Sequence, residues 1–213
     1  MTNAQETLAG EARAHRVAPA VPAPSLSVVI LARNAAADLP ATIASIGAPA
    51  SGDEIVLSDG GSEDQTCDIA TGHGVRVLQG PRGRGAQLRH GAAEAKRDWL
   101  LFLHSDTRLG AGWRDEVAKF ITDPANRRRV GVFRFALDDR AAAARRLELG
   151  VRLRARVLGL PFGDQGLLIH RDLYDRLGGF RDWPLMEDVD FIRRIGRRRI
   201  THFETAATTS PRR

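Results

Sequence analysis

The sequence predicts an α/β fold, a mostly parallel sheet with helices packed on both faces. Three observations carry that expectation. Between residues 26 and 122, short apolar runs alternate with helical stretches at the spacing of βαβ units. Two of those runs, LSVVILA and WLLFLH, are almost continuously apolar, as strands covered on both faces require. The chain has 213 residues, 43% hydrophobic and 27% charged, which is ordinary for one domain with a buried core.

The elements follow in order. Residues 1–24 are rich in Ala and Pro and lack apolar periodicity, so they are expected to be a disordered leader before a single domain at 25–213. Leu26 to Ala32 is the first strand. A short helix over Asp38–Gly47 follows, with Asp38 as N-cap and Pro40 in its first turn. Glu54–Ser58 and Val75–Leu78 are the next strands, with a helix over Asp64–Thr71 between them. Gly85–Arg97 is a third helix, Trp99–His104 a fourth strand and Gly112–Thr122 a fourth helix. Val130–Leu137 and the run LLIH extend the sheet, and Asp172–Leu177 is a short helix. Residues 141–160 carry Leu149, Leu153, Val157 and Leu160 at helical spacing, with arginines at 145, 146, 152 and 156 among them. Such a stripe packs on the sheet, with arginine stems covering apolar surface, or lies on anionic lipid.

Several function classes are excluded or disfavoured. No apolar run approaches the ~20 residues of a membrane span, and the N-terminus has no signal-like apolar core. A single cysteine, Cys67, rules out a disulfide framework and a thiolate zinc site, and suits a cytoplasmic protein. A phosphate loop, a dinucleotide glycine fingerprint after the first strand and a G-x-S-x-G elbow are all missing. Net charge is +6 and unevenly spread: residues 1–126 hold 12 Lys+Arg against 15 Asp+Glu, residues 127–213 hold 20 against 11. The basic half suits an anionic partner or reflects a plain preference for arginine. With aromatics at 6% and no stacking platform, nucleic acid is not an expected partner.

In parallel sheets, ligands bind beyond the carboxyl ends of the strands, so the segments ARNAAAD, DGGSEDQT and HSDTR matter most. Asp59 is placed to accept hydrogen bonds from a base or ribose, and Gly60 and Gly61 allow a tight turn beside a ligand. The same DGGS stretch is also an ordinary turn and cap. His104 and Asp106 point the same way at a strand end, where one carboxylate with diphosphate oxygens suffices for a magnesium-type site and manganese also accepts imidazole. Arg82, Arg84 and Arg89 among glycines could hold phosphate or stack on a base. Glu187, Asp188 and Asp190 form an acidic group, of which one or two suit a helix start and one suits a general base.

Taken in order, LSVVILARNAA, EIVLSDGGSEDQT, GRGAQLRHGAA, WLLFLHSDTRL, GDQGLLIHRDLYDRLGGF and PLMEDVDFIRRI resemble a family 2 glycosyltransferase of the GT-A fold, with its Rossmann-like sheet. The HSDT and GDQG forms resemble the bacterial subgroup described as radical-SAM/selenodomain-associated glycosyltransferases. The resemblance implies inverting transfer of a hexosyl or related sugar from a nucleotide-sugar donor to a hydroxyl acceptor that the residues do not identify. A lipid-linked acceptor would place the protein at the inner membrane surface. It implies that Ala32, Arg33, Asn34, Asp59, Gly60, Arg84, Ser105 and Asp106 form the nucleotide-sugar site, with Asp59 at the base and Arg84 near it. Asp106, with His104 where the family has the first aspartate of D-x-D, would hold a divalent metal, Mn2+ or Mg2+. Asp188 would be the general base with Glu187 beside it, and Asp164 and Gln165 would meet the sugar or acceptor. The subgroup continues beyond a Ser-x-Arg-Arg stretch like the one that ends this chain, so a truncated C-terminus or a short acceptor side is expected. In either case Arg212 and Arg213 would be donor-phosphate ligands. His104 and the short C-terminus also suit an alternative, a non-catalytic nucleotide-sugar binding domain. A sugar-phosphate nucleotidyltransferase ranks below both, because its G-x-G-T-R opening is missing.

Overall fold

The structure, a computed structural model, describes residues 25–50, 52–138, 165–183 and 185–210. The expected leader, the amphipathic stretch at 141–160, Asp164, Arg212 and Arg213 lie outside the described residues. The chain alternates β1 (Leu26–Ala32), α1 (Leu39–Ile46), β2 (Glu54–Asp59), α2 (Thr66–Gly72), β3 (Arg76–Gln79), α3 (Arg84–Glu94) and β4 (Trp99–His104). It continues through β5 (Thr107–Leu109), α4 (Trp113–Thr122), β6 (Val130–Leu137), β7 (Leu167–His170), α5 (Arg171–Arg176), α6 (Glu187–Ile195) and β8 (Ile200–Thr209).

One eight-stranded sheet runs in the order β3-β2-β1-β4-β7-β6-β8-β5. The β3-β2-β1-β4 half is parallel throughout. The other half mixes antiparallel β4–β7, β7–β6 and β8–β5 pairs with one parallel β6–β8 pair. β1 is buried at all seven positions, as its apolar run requires. Its residues alternate between two cores. Val28 and Ile30 join Leu39, Ile43, Trp113 and Phe120 under α1 and α4, while Val29 and Leu31 join Leu88, Tyr174, Phe191 and Ile192 under α3, α5 and α6.

Two elements depart from the expectations. Asp38 stands at the N-cap position of α1 but makes no side-chain cap, and α2 begins at Thr66 because Asp64 turns its carboxylate to the amides of Thr66 and Ala36. β5 and β8 carry no apolar alternation strong enough to announce them, and β8 exists because β6 offers it a parallel edge.

Candidate active site

The strand order reverses between β1 and β4, so helices leave in opposite directions and a cleft opens beyond the strand ends. Ala32, Arg33, Arg84, His104, Ser105 and Asp106 line it, together with Leu31, Gly83 and Gln87, around a volume of about 300 Å³. Five of the eight residues expected at the nucleotide-sugar site, and His104 expected as a metal ligand, therefore meet in one place. The register explains how: Ala32 lies opposite Asp59, and Leu31 opposite His104.

The first wall is the pair of turns after β1 and β2. Asn34 has φ +50°, which an asparagine tolerates better than most residues. Its side-chain oxygen accepts from the Glu63 amide at 2.8 Å, and its own amide donates to Ser62 Oγ at 2.8 Å. Asp59 is 1% exposed and closes its own turn, accepting from the amides of Gly61 and Ser62 at 3.0 and 2.9 Å and from Ser62 Oγ. Its carboxylate is thus spent inside that turn, and Asn34, Asp59 and Gly60 belong to the turns beside the cleft without being among the residues that line it.

Gln87 is a residue that the sequence analysis passed over. It is buried, and its side-chain amide donates to the Ala32 and Ser58 carbonyls at 2.7 and 3.0 Å, tying β1 to β2 where the ladder ends. A Cβ on Gly60 would meet that amide at 2.7–2.9 Å, so the glycine there serves close approach. The signal was a lone amide among the small and apolar residues of GAQLRHG.

The second wall joins α3 to α6. Arg84 Nε lies 3.0 Å from Glu187 Oε1, and the Glu187 side chain is 1% exposed. Neither Glu187 oxygen has a well-aligned hydrogen bond among the described residues. Burial therefore pushes the Glu187 carboxyl up, Arg84 opposes the shift, and Asp188 adds to it. Arg84 Nη2 also lies 3.0 and 3.3 Å from the two ring nitrogens of His104. Arg84 thus spans from the buried acid to the end of β4, while Asp59 sits in its own turn.

The three carboxylates of the EDVD stretch separate by environment. Asp190 ties α6 to Arg181 at 3.1 Å and pairs within the helix with Arg194 at 2.6 Å. Glu187 is held by Arg84. Asp188 lines a small apolar cavity of about 20 Å³ with His104, Leu88, Phe102 and Gly166. His104 borders both spaces, so Asp188 opens onto the strand end that carries the cleft. Gln165 is 2% exposed beside Gly166, with an oxygen that has no hydrogen-bond partner among the described residues. Met186, at φ +66°, turns the chain into α6 in a conformation that non-glycine residues adopt at a cost.

Asp106 faces two hollows, the cleft and a second one of about 260 Å³ with Asp38, Arg108, Asp138 and Ser210. The Ser210 amide donates to the Asp106 carbonyl at 3.1 Å, which brings the end of β8 to the cleft. Among the described residues, no three His, Cys, Asp or Glu side chains come together as a metal site.

Solved structures with the same fold place this geometry in a class. S. aureus TarS 1–349 in complex with UDP-GlcNAc matches with a TM-score of 0.68 at 16% identity, over 89% of this chain and 59% of that one. A Pyrobaculum calidifontis mannosyltransferase in complex with GDP-Man and Mn2+ matches at 0.65, with 17% identity over 89% and 58%. Glucosyl-3-phosphoglycerate synthase from Mycobacterium tuberculosis, with Mn2+ and UDP-Glc, matches at 0.60, with 21% identity over 88% and 70%. The fold is that of the GT-A glycosyltransferases.

A family model, glycosyl transferase family 2, matches residues 27–180, and the chain belongs to that family. A "PGL/p-HBAD biosynthesis glycosyltransferase" of Mycobacterium bovis is 40% identical over 95 residues, 41% of this chain and 37% of its own length. The match therefore spans little more than a third of that relative.

Proposed function

We propose that this chain moves a sugar from a nucleotide-sugar donor to an acceptor hydroxyl, with inversion at the anomeric carbon. One observation carries the proposal: His104 is shared by the cleft holding Ala32, Arg33 and Asp106 and by the cavity holding Asp188. In this reading the nucleotide lies over the β1 and β2 turns, with its diphosphate toward Arg84, Ser105 and Asp106. Asp188 takes the proton of the acceptor hydroxyl as that oxygen bonds to the anomeric carbon, and the bond from that carbon to the diphosphate oxygen breaks on the opposite face. Gln165, and Asp164 beside it, belong on the sugar or acceptor side.

The donor charge has two partners in this reading. Asp106 fits a divalent cation, since one carboxylate with the donor's own phosphate oxygens is a sufficient set for Mg2+ or Mn2+. His104 fits that role poorly, because the permanently charged Arg84 guanidinium occupies the approach to its ring nitrogens. A cation bound at Asp106 would neutralise charge growing on the leaving diphosphate. Arg84, fixed by Glu187, contributes a guanidinium beside the same end of the cleft.

Calorimetric titration of UDP, GDP and their sugar conjugates, with and without Mn2+, tests the donor site. Turnover of the same donors tests catalysis. Asp188→Asn is expected to abolish transfer while nucleoside diphosphate affinity stays within a few-fold. Normal transfer by that variant removes Asp188 as the base. Binding without turnover by the unaltered chain instead supports a nucleotide-sugar binding domain.

A further inference from the structure

The sequence contains two arginine triplets far apart in the chain, Arg127–Arg129 before Val130 and Arg197–Arg199 before Ile200. The fold puts them side by side. β6 and β8 pair in parallel with Val130 opposite Ile200, so both triplets enter the sheet at the same end of neighbouring strands. The first closes the 3-10 turn Pro124–Arg128, and the second forms the 3-10 turn Arg197–Arg199. All six arginines are exposed. The acid nearest in sequence to the first triplet, Asp123, spends its carboxylate on the Ala125 amide. Among the described residues, Arg127, Arg128, Arg129, Arg198 and Arg199 form no ion pair. Beside them is an open hollow of about 350 Å³, lined by Ile195, Gly196 and the second triplet.

Six like charges on strands about 4.8 Å apart repel one another. An anionic surface turns that repulsion into attraction. We infer that this end of the sheet is a docking surface for the headgroups of an anionic lipid bilayer. The patch sets six exposed arginines against two exposed acids at the same end of the sheet, Asp98 and Asp172, and has no aromatic side chain in either turn. Single-stranded nucleic acid is bound by cations interleaved with stacking aromatics, which this surface does not offer. The orientation follows from the strands. β4 and β6 run the same way, because each is antiparallel to β7, and the cleft lies beyond the carboxyl end of β4. α6 likewise runs from Glu187 at the cleft to Gly196 and the second triplet. Docking therefore leaves the cleft facing solvent. This inference is independent of the reaction proposed above.

The test is cosedimentation of the full chain with vesicles of phosphatidylcholine alone, or of phosphatidylcholine mixed with phosphatidylglycerol, at low and physiological salt. Binding is expected only to the mixed vesicles and is expected to weaken with salt. An arginine near an anionic bilayer strengthens binding about fivefold. Arg128→Ser with Arg129→Ser, or Arg197→Ser with Arg198→Ser, should each lower vesicle affinity about 25-fold. The fourfold variant should fall to background, and lysine at the same four positions should restore binding. Far-ultraviolet circular dichroism, measured in parallel, reports that each variant is folded and should not change. Failure to bind mixed vesicles overturns the inference, and so does equal binding to neutral ones. Full binding by the fourfold variant places the contact elsewhere in the chain and also overturns it. Tighter binding to a single-stranded oligonucleotide than to mixed vesicles makes the surface a nucleic-acid site instead.

Discussion

Glu187 and Arg84 show how much one side chain's role depends on its partner. The carboxylate is buried, and the guanidinium 3.0 Å away is about one-third exposed, so removing either has unequal consequences. Arg84→Ala leaves a buried charge uncompensated, whereas Glu187→Gln leaves only a partly exposed cation that water can reach. Arg84→Ala is therefore expected to destabilise the fold more than Glu187→Gln, as measured by urea unfolding. The pH dependence has a definite sign. Burial raises the folded-state carboxyl above its ordinary value, and losing Arg84 raises it further. The protonated acid then costs nothing below the ordinary carboxylate range, and stability is lost as pH rises through the raised folded value. The Arg84→Ala defect should accordingly be larger at neutral pH than in mild acid. Gly85 is the companion case, because a Cβ there would run into the Arg181 carbonyl and crowd Glu187 at 3.2 Å. Gly85→Ala is expected to cost about 1–3 kcal/mol by overpacking, read from the same unfolding curves, and to loosen α3 from α6. None of this was legible in the residues. GRGAQ and MED stand far apart in the sequence, and only their packing makes them one unit.

At the scale of elements, the strands that carry near-continuous apolar runs were legible to the residue. β1, β4, β6 and β7 begin and end where their runs do, because burial on both faces leaves no register for polar residues to contest. Helix ends were less legible. Asp38 and Asp64 are both cap-forming residues, yet Asp64 serves the neighbouring loop instead of an N-cap. β8 was missed because its burial alternates irregularly along ITHFETAATT, and its strand character comes from the β6 edge. β7 carries its own pH device. His170 packs edge-on against Trp99 at 5.1 Å, and burial holds its imidazole below the usual value of 6.5 despite the pull of Asp172. The unfolded chain takes up a proton that the folded one resists. Stability should be full above about pH 6.5 and fall as pH drops through that value toward the lowered one. Thermal unfolding across that range checks it, and His170→Asn should flatten the slope.

The whole molecule places its two charged regions at opposite ends of one sheet. The cleft gathers Arg33, Arg84, His104 and Asp106 beyond the carboxyl ends of the parallel strands, and the paired triplets lie where β6 and β8 begin. A ligand that binds only the folded chain stabilises it by an amount that grows with the logarithm of its concentration above the dissociation constant. At a nucleoside diphosphate concentration 100-fold above its dissociation constant, the melting temperature should rise by about 5–10 °C. A flat melting temperature with every nucleotide tested would remove the donor site. Among the described residues no helix is long and apolar enough to cross a membrane. The sequence by itself determined the α/β class, the parallel half of the sheet, the strand ends that line the cleft and the family, because apolar periodicity and strand-end polar residues are local signals. Only the tertiary structure decided that Asp59 closes a turn, that Gln87 ties two strands, that Arg84 reaches Glu187 and His104, and that two distant arginine triplets form one surface. Those are contacts between segments far apart in the chain, and a local pattern cannot report which distant partner the packing will supply.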